Sequence, residues 1–282
     1  MKTSIHHIRD AGLLLVLLLF VASTPSSASN DNYPAGARAA AMGNVSVMYP
    51  DFWSNWHNQA GLGFYSHVSI GFHHENRFVV PEFSLHAIGL TVPTGRGTLG
   101  FSYHYFGYSG YHESKFGLAF GKAFHERFAV GLQLDYLNTY FDNELGNSGT
   151  VAIEAGIMAE PVDNLMLGFH IYNPTGATIP KMRQEKIPVI MRLGLGYQFG
   201  ERLFVGMETE KDLDIARPRY KMGLEYKVIE YIFARVGIMM QEYVQHSFGI
   251  GFNLLSFQAS LAFSYMQLVG YTPYFSLHYV FK

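Results

Sequence analysis

The chain contains no cysteine. That excludes disulfides, thiolate metal sites and the lipid-anchored cysteine of a lipoprotein. Charge is also scarce, at 15% of residues, against about a quarter in soluble domains. A net charge of −2 with no run of lysine and arginine leaves no surface suited to nucleic acid. Beyond the N-terminus there is no uninterrupted apolar run of the roughly 18 residues needed for a transmembrane helix. What is abundant instead is apolar and aromatic side chain, 49% and 16% of residues. Such a chain must meet lipid or bury a very large core. Without a spanning helix, a closed β-barrel is the arrangement that pairs every backbone N–H and C=O within lipid.

Residues 1–28 read as a secretory signal: Lys2 and Arg9 supply positive charge, residues 12–22 are apolar, and Ser26, Ser27 and Ala28 offer a small-residue cleavage site. An uncleaved N-terminal anchor is the alternative. Residues 29–63 form a second unit, a periplasmic or luminal hatch, and residues 64–282 a transmembrane barrel.

The barrel is read from period-two alternation. Over 187–199, Ile187, Val189, Met191, Leu193, Leu195, Tyr197 and Phe199 share one face, opposite Arg192, Gly194, Gly196 and Gln198. A helix would scatter both sets around its circumference. Repetition of this pattern predicts fourteen antiparallel strands, at 64–74, 78–92, 97–108, 113–122, 127–140, 149–160, 164–173, 187–199, 202–212, 218–228, 230–240, 244–254, 256–266 and 272–281. Even strands lead to the next odd strand through tight links, and most odd-to-even links are longer. That parity places both barrel ends on the periplasmic side. Aromatics such as Phe64, Tyr65, Tyr105 and Tyr140 gather near strand ends, as interfacial girdles do. The final strand closes on Phe281, resembling the signal read by the barrel-assembly machinery.

The face opposite the apolar one carries Asp135, Glu154, His170, Arg192, Glu208, Lys221, Glu225, Arg235, Gln258 and His278. Charge at mid-depth on the lipid face would cost about 2–4 kcal/mol for lysine or arginine, so these residues are predicted to line the lumen as a polar network. Many of the remaining inward positions are glycine, including Gly131, Gly168, Gly223 and Gly237, which permits close approach of a second backbone.

Residues 30–63 do not alternate. Their motifs, GARAAAMG at 36–43, then Trp53 and WHNQAGL at 56–62, resemble the opening of the FadL-like superfamily of outer-membrane barrels. The similarity is greatest to the PorV/PorQ branch of Bacteroidetes-type bacteria, whose members open with G/S-A-R-x-x-x-M/L-G and W-x-N-P-A-G-L. The chain departs at Gln59, where that branch has proline. YKMGLEY at 220–226, RVG at 235–237 and SFGIG at 247–251 are similar as well. The resemblance implies a fourteen-stranded barrel with a hatch carried by Gly36, Arg38, Met42, Gly43, Trp53, Trp56, Asn58, Gly61 and Leu62. It implies one of two roles: an accessory in type IX protein secretion that binds secretion-system proteins or cargo, or a FadL-like channel for long-chain fatty acids or other hydrophobic molecules.

Neither a cofactor nor an enzyme activity is expected. His73 and His74 are adjacent on a strand and diverge, as do His246 and Ser247, while Ser276 and His278 share a face without a third partner. The loop 174–186, with Ile179, Pro180 and Met182, is the expected surface-recognition element.

Overall fold

The computed structural model describes residues 32, 34–142, 146–180 and 185–281. The signal assigned to residues 1–28, and Met182 of the long loop, lie outside them. Among the described residues no helix is long and apolar enough to cross a membrane. The strands form one closed antiparallel barrel of fourteen, as the alternation predicts. They are β1 Ser69–Asn76, β2 Ser84–Thr94, β3 Gly97–Tyr108, β4 Tyr111–Phe124, β5 Phe128–Phe141, β6 Gly146–Val162 and β7 Leu165–Tyr172. The second half comprises β8 Ile190–Phe199, β9 Leu203–Asp212, β10 Arg219–Ile229, β11 Ile232–Met240, β12 Val244–Leu254, β13 Phe257–Met266 and β14 Gly270–Val280. Each strand pairs with its sequence neighbours, and β1 closes the ring on β14 with Ser69 opposite Val280 and Glu75 opposite Tyr274.

Alternation is resolved residue by residue. Along β5, Leu132, Leu134 and Tyr136 are 61%, 53% and 53% exposed, whereas Gln133 and Asp135 between them are 2% and 0%. Exposed apolar side chains recur in this phase on β1 to β14, a band far larger than the few hundred Å² tolerated on soluble monomers. The outward surface is therefore built for lipid and the inward one for polar contact. Tight links and both barrel ends, at β1 and β14, share one rim, the turn end. The wider connections, including 77–83 and 173–189, share the other, the loop end.

The first two strands start later than the alternation predicts. Residues 64–68 run along the turn end before β1. Phe64 and Tyr65 there pack onto buried clusters rather than joining an outward girdle. Residues 77–83 form two short 3-10 turns, with Phe78 and Val79 at φ of 59° and 60°. Extended alternation cannot pass through such left-handed residues. The loop 173–189 also differs from expectation. It folds onto the mouth of the barrel, placing Ile179 and Ile187, each 1% exposed, against Tyr172, Leu137, Ala152 and Ile190. Asn173 staples it there, its Nδ2 donating to the Ile187 carbonyl at 2.9 Å and its Oδ1 accepting from Ala177 N at 2.9 Å. Ile187 is thus a loop residue packed inward, not the first lipid-facing residue of β8.

Residues 34–62 lie inside the barrel and are buried, except for Arg38 and residues 49–51, which are half-buried. They form a one-turn helix α1 (Ala37–Ala41), a shorter helix α2 (Ser54–His57) and a 3-10 turn (Gln59–Gly63). Removal of Cβ atoms from the wall makes the space. Inward glycines on β1 to β12 face this segment: Gly71 meets Phe52, Gly89 meets Trp56, Gly131 the Gln59–Ala60 peptide, Gly156 Asn58, Gly206 Val45 and Gly249 Ala41. On β13 and β14 the corresponding small residues are Ala262 and Ser276, which meet α1. At Gly168 an added methyl would sit 2.6 Å from the Val47 carbonyl carbon, and at Gly237 it would overlap the Met42–Gly43 peptide.

Gly131→Ala and Gly237→Ala should therefore destabilise the barrel interior by about 1–3 kcal/mol through overpacking. Gly95→Ala, where a methyl meets nothing within 4 Å, should not. Urea titration in detergent micelles followed by tryptophan fluorescence checks this, because both tryptophans of the chain, Trp53 and Trp56, belong to the internal segment.

Candidate functional site

The interior is organised by two groups of charges on the polar faces of the strands. In the larger, Glu154 on β6 accepts from Lys115 Nζ at 2.6 Å, His170 Nε2 at 2.9 Å and Gln59 Nε2 at 2.9 Å. Asp135 lies 3.7 Å from the same lysine. Lys221 Nζ bridges Glu208 and Glu210 at 2.7 and 2.8 Å, and Glu210 also takes Arg192 and Arg219 at 2.8 and 2.6 Å. The chain before α1 joins in: Asn32 accepts from Lys115 through its side chain and from Arg192 through its carbonyl. The smaller group is Glu225, held by Arg38 through two bonds of 3.0 Å and by Arg235 at 2.5 Å.

These side chains also satisfy the irregular backbone. Glu208 Oε2 accepts from Ser46 N and Val47 N at 2.8 and 3.0 Å. Asn58 Nδ2 is shared among the carbonyls of Val47, Ile157 and Phe169 at 2.8, 3.0 and 3.3 Å, tying the segment to itself, to β6 and to β7. At α1 the ties are Ala37 N to Ser276 Oγ at 3.1 Å and the Arg38–Glu225 pair. Among the predicted hatch residues, Gly36 lies against Trp53, Met42 and Gly43 against β10 and β11, Gly61 against Ser54 and Leu62 against β4. Trp53 and Trp56 pack together, 5.5 Å apart, with Phe52 beside both.

Eight of the predicted luminal residues, Asp135, Glu154, His170, Arg192, Glu208, Lys221, Glu225 and Arg235, are brought into these two groups. Two stand apart. His278 stacks on Phe52 at 5.2 Å, and Gln258 lines a cavity near the turn end. The luminal set read from the sequence omits Lys115, Glu210 and Arg219, although Lys115 is in phase with Gly117, Glu210 with Glu208 and Arg219 with Lys221. The pairs weighed for catalysis do not assemble. His246 is exposed on the outer face while Ser247 is buried, and Ser276 is engaged by Ala37 N. Among the described residues no cluster could hold a metal ion.

Two cavities flank α1. The one towards the loop end, about 260 Å³, is lined by Pro34, Asn44, Glu75, Arg77, Phe78, Met239, Gln245, Met266, Thr272 and Tyr274. The one towards the turn end, about 240 Å³, is lined by Arg38, Tyr49, Pro50, Asp51, Tyr65, Glu225, Phe233, Arg235, Asn253, Gln258 and His278. Burial pushes the Asp51 carboxyl up to about 6 against the opposing pull of Arg38. Burial likewise drives His57 down to about 3, even though its Nε2 lies 2.5 Å from the Ala35 carbonyl oxygen.

No protein-family model and no curated protein matches the sequence. Solved structures do match in shape. A FadL homologue of Pseudomonas aeruginosa aligns at TM-score 0.62 and 12% identity over 88% of this chain and 98% of that one. The toluene transporter TbuX of Ralstonia pickettii aligns at 0.69 and 9% over 89% and 100%. The toluene transporter TodX of Pseudomonas putida aligns at 0.64 and 12% over 87% and 96%. The fold is that of the FadL-type outer-membrane barrels. At these identities the likeness concerns the fold alone, and the PorV/PorQ branch is not among the structures compared above.

Two predictions follow from the charges. Glu225→Ala leaves the buried Arg235 beside the half-buried Arg38 without a counter-charge and should destabilise the interior by about 3 kcal/mol. Adding Arg38→Met should recover part of that loss, measurable as a shift of the urea midpoint reported by tryptophan fluorescence. His57, whose folded pKa is depressed, contributes stability that is present above pH 6.5 and lost as pH falls towards 3. At pH 5 keeping the ring neutral costs about 2 kcal/mol. Asp51, whose pKa is raised, has the opposite sign: its contribution is present below about pH 4 and lost as pH rises through 6. His57→Gln should therefore reduce the loss of stability between pH 6.5 and 5 by about 2 kcal/mol, measurable as a smaller shift of the urea midpoint on acidification.

Proposed function

We propose that this chain is an exported, non-enzymatic outer-membrane channel that admits a hydrophobic small molecule, with the hatch read at 29–63 acting as its plug through residues 34–62 inside the barrel. The reading rests above all on the cavity at the loop end. Its lining joins Met239, Met266, Phe78, Tyr274 and Pro34 to Gln245, Thr272, Asn44 and the Glu75–Arg77 ion pair. A concave site that combines apolar walls with convergent polar groups is the usual form of a small-molecule site. At about 260 Å³ it exceeds the roughly 150 Å³ apolar cavity that accepts benzene. It opens at the end carrying the wider loops, which in an outer-membrane barrel faces the exterior, and it sits above a lumen that is filled rather than open. Support also comes from the shared fold with two proteins described as toluene transporters.

In this reading residues 1–28 are the export signal, outer-membrane lipid covers the apolar band, and the barrel-assembly machinery receives the last strand. The type IX secretion role implied by the motifs at 36–43 and 56–62 has less support. The loop expected to recognise protein partners folds Ile179 and Ile187 into the mouth instead of presenting them.

Expression in a Gram-negative host lacking its own uptake systems for these compounds tests the proposal. Entry of radiolabelled toluene or oleate should rise above that of cells carrying an empty vector. Entry of neither, with the barrel correctly assembled, rejects the channel reading. Co-purification of secretion components without any such entry would favour the accessory role.

A further inference from the structure

The loop-end cavity mixes two kinds of side chain that packing alone would not place together. Met239, Met266, Phe78 and the Tyr274 ring supply apolar wall. Set into that wall are the side-chain amides of Asn44 and Gln245, residues only 6% and 8% exposed. Gln245 projects from β12 between Met239 on β11 and Met266 on β13, its partners in register. Asn44 comes from the internal segment, in the turn after Gly43, at φ of 63°. Its backbone is engaged, the N–H donating to the Ala39 carbonyl at 2.8 Å.

Neither side-chain amide makes a hydrogen bond among the described residues. Buried polar groups are nearly always paired, and Asn58 and Asn173, buried elsewhere in this barrel, have both ends of the amide engaged. Methionine or leucine would fill the place of Gln245 as well and cost no desolvation. The two amides therefore face whatever enters the cavity. Thr272 adds to them: its Oγ1 accepts from Phe78 N at 3.1 Å and its hydroxyl proton remains to donate.

The charges of the lining are already matched. Arg77 Nε lies 2.8 Å from Glu75 Oε1, and its guanidinium sits over the Phe106 ring at 4.7 Å. A ligand carboxylate would meet Glu75, and a ligand ammonium would meet Arg77, each at a desolvation cost that this pair does not offset. The group to be recognised is thus neutral. An amide presents an N–H donor and a carbonyl acceptor, so two amides suit a group that both donates and accepts, as one hydroxyl oxygen does. Thioether and aromatic walls suit a flat ring carrying that hydroxyl.

We propose that the loop-end cavity is a binding site for a neutral ring molecule bearing a hydroxyl group, of the phenol or cresol class. Asn44, Gln245 and Thr272 hold the hydroxyl, and Met239, Met266 and Tyr274 hold the ring. This rests on the channel reading and names its cargo. The preference over a bare hydrocarbon follows from the amides: toluene would leave them buried and unpaired, whereas a hydroxyl pairs them.

Equilibrium dialysis of the purified protein in detergent against radiolabelled p-cresol, toluene and oleate tests the assignment, with protein-free micelles correcting for partition. The unaltered protein should bind p-cresol at least about tenfold more tightly than toluene, the effect of one or two hydrogen bonds. The double variant Asn44→Gly with Gln245→Met removes both amides, glycine keeping the positive φ and methionine the side-chain length. In it the ratio of p-cresol to toluene affinity should fall about tenfold or more, a change that general damage to the cavity does not produce.

Toluene or oleate bound as tightly as p-cresol by the unaltered protein overturns the proposal, and this comparison needs no variant to fold. An unchanged ratio in the double variant overturns it too. Toluene or oleate entering cells without any p-cresol preference in binding leaves the channel standing and rejects the hydroxylated cargo. Tight p-cresol binding with entry of none of the three does the reverse.

Discussion

A second stretch of chain can lie inside a fourteen-stranded barrel only where the wall leaves it room. Here the room comes from Cβ atoms that are absent. The Gln59–Ala60 peptide lies on Gly131, the Val47–Met48 backbone on Gly168 and the Met42–Gly43 peptide on Gly223 and Gly237. Several of these glycines face one another across strands, as Gly121, Gly131 and Gly156 do on β4 to β6, and Gly196, Gly206, Gly223 and Gly237 on β8 to β11. Glycine weakens an isolated strand. Barrel closure compensates by pairing both edges of every strand, and the contacts of the internal segment fill the vacated volume.

Close approach then dictates the chemistry of contact. A segment lying against the wall, with little regular structure of its own, brings amides and carbonyls into a space where bulk water is limited. Buried polar groups of this kind must be paired. The strands supply the partners from the same inward face that carries the glycines: Glu208 for two successive amides, Ser276 for the start of α1, and strand carbonyls for Asn58. The carboxylates in turn require cations, and the larger group balances Asp135, Glu154, Glu208 and Glu210 with Lys115, Arg192, Arg219 and Lys221. Buried ion pairs add little net stability, but removal of one partner is costly. Their effect here is to fix the position of residues 46–62.

The barrel itself was legible because its signal is short-range and repeated. Leu132, Leu134 and Tyr136 alternating with Gln133 and Asp135 require no knowledge of the partner strand, and fourteen such segments followed from the same period. Errors arose where alternation continued by chance beyond a strand. Ile187 is in phase with Val189 and Met191 yet packs inward at the mouth. Residues 78–83 read as strand although Phe78 and Val79 turn left-handed. Inward glycines and most luminal charges could be placed on a face, but face alone does not reveal a partner. That Glu208 serves the amides of Ser46 and Val47, some 160 residues away in sequence, depends on how the segment folds back. Lys115 and Glu210 are legible as inward from phase alone, in step with Gly117 and Glu208.

The contrast between the two parts of the internal segment has a physical origin in what water can replace. An amide bonded to a carboxylate that is itself held by a buried lysine, as at Ser46, Glu208 and Lys221, cannot be released without leaving several groups unpaired at once. Alanine methyls against Ala262 have no such network behind them, although the same turn ends in the Met42–Gly43 peptide pressed on Gly223 and Gly237. Arg38 has ties of a third kind: it is half-buried, faces a cavity and stacks on Tyr49 with 3.2 Å between its guanidinium carbon and the ring centroid. Both parts of the internal segment are therefore held by close backbone contact with the wall, and they differ in how much charge stands behind that contact.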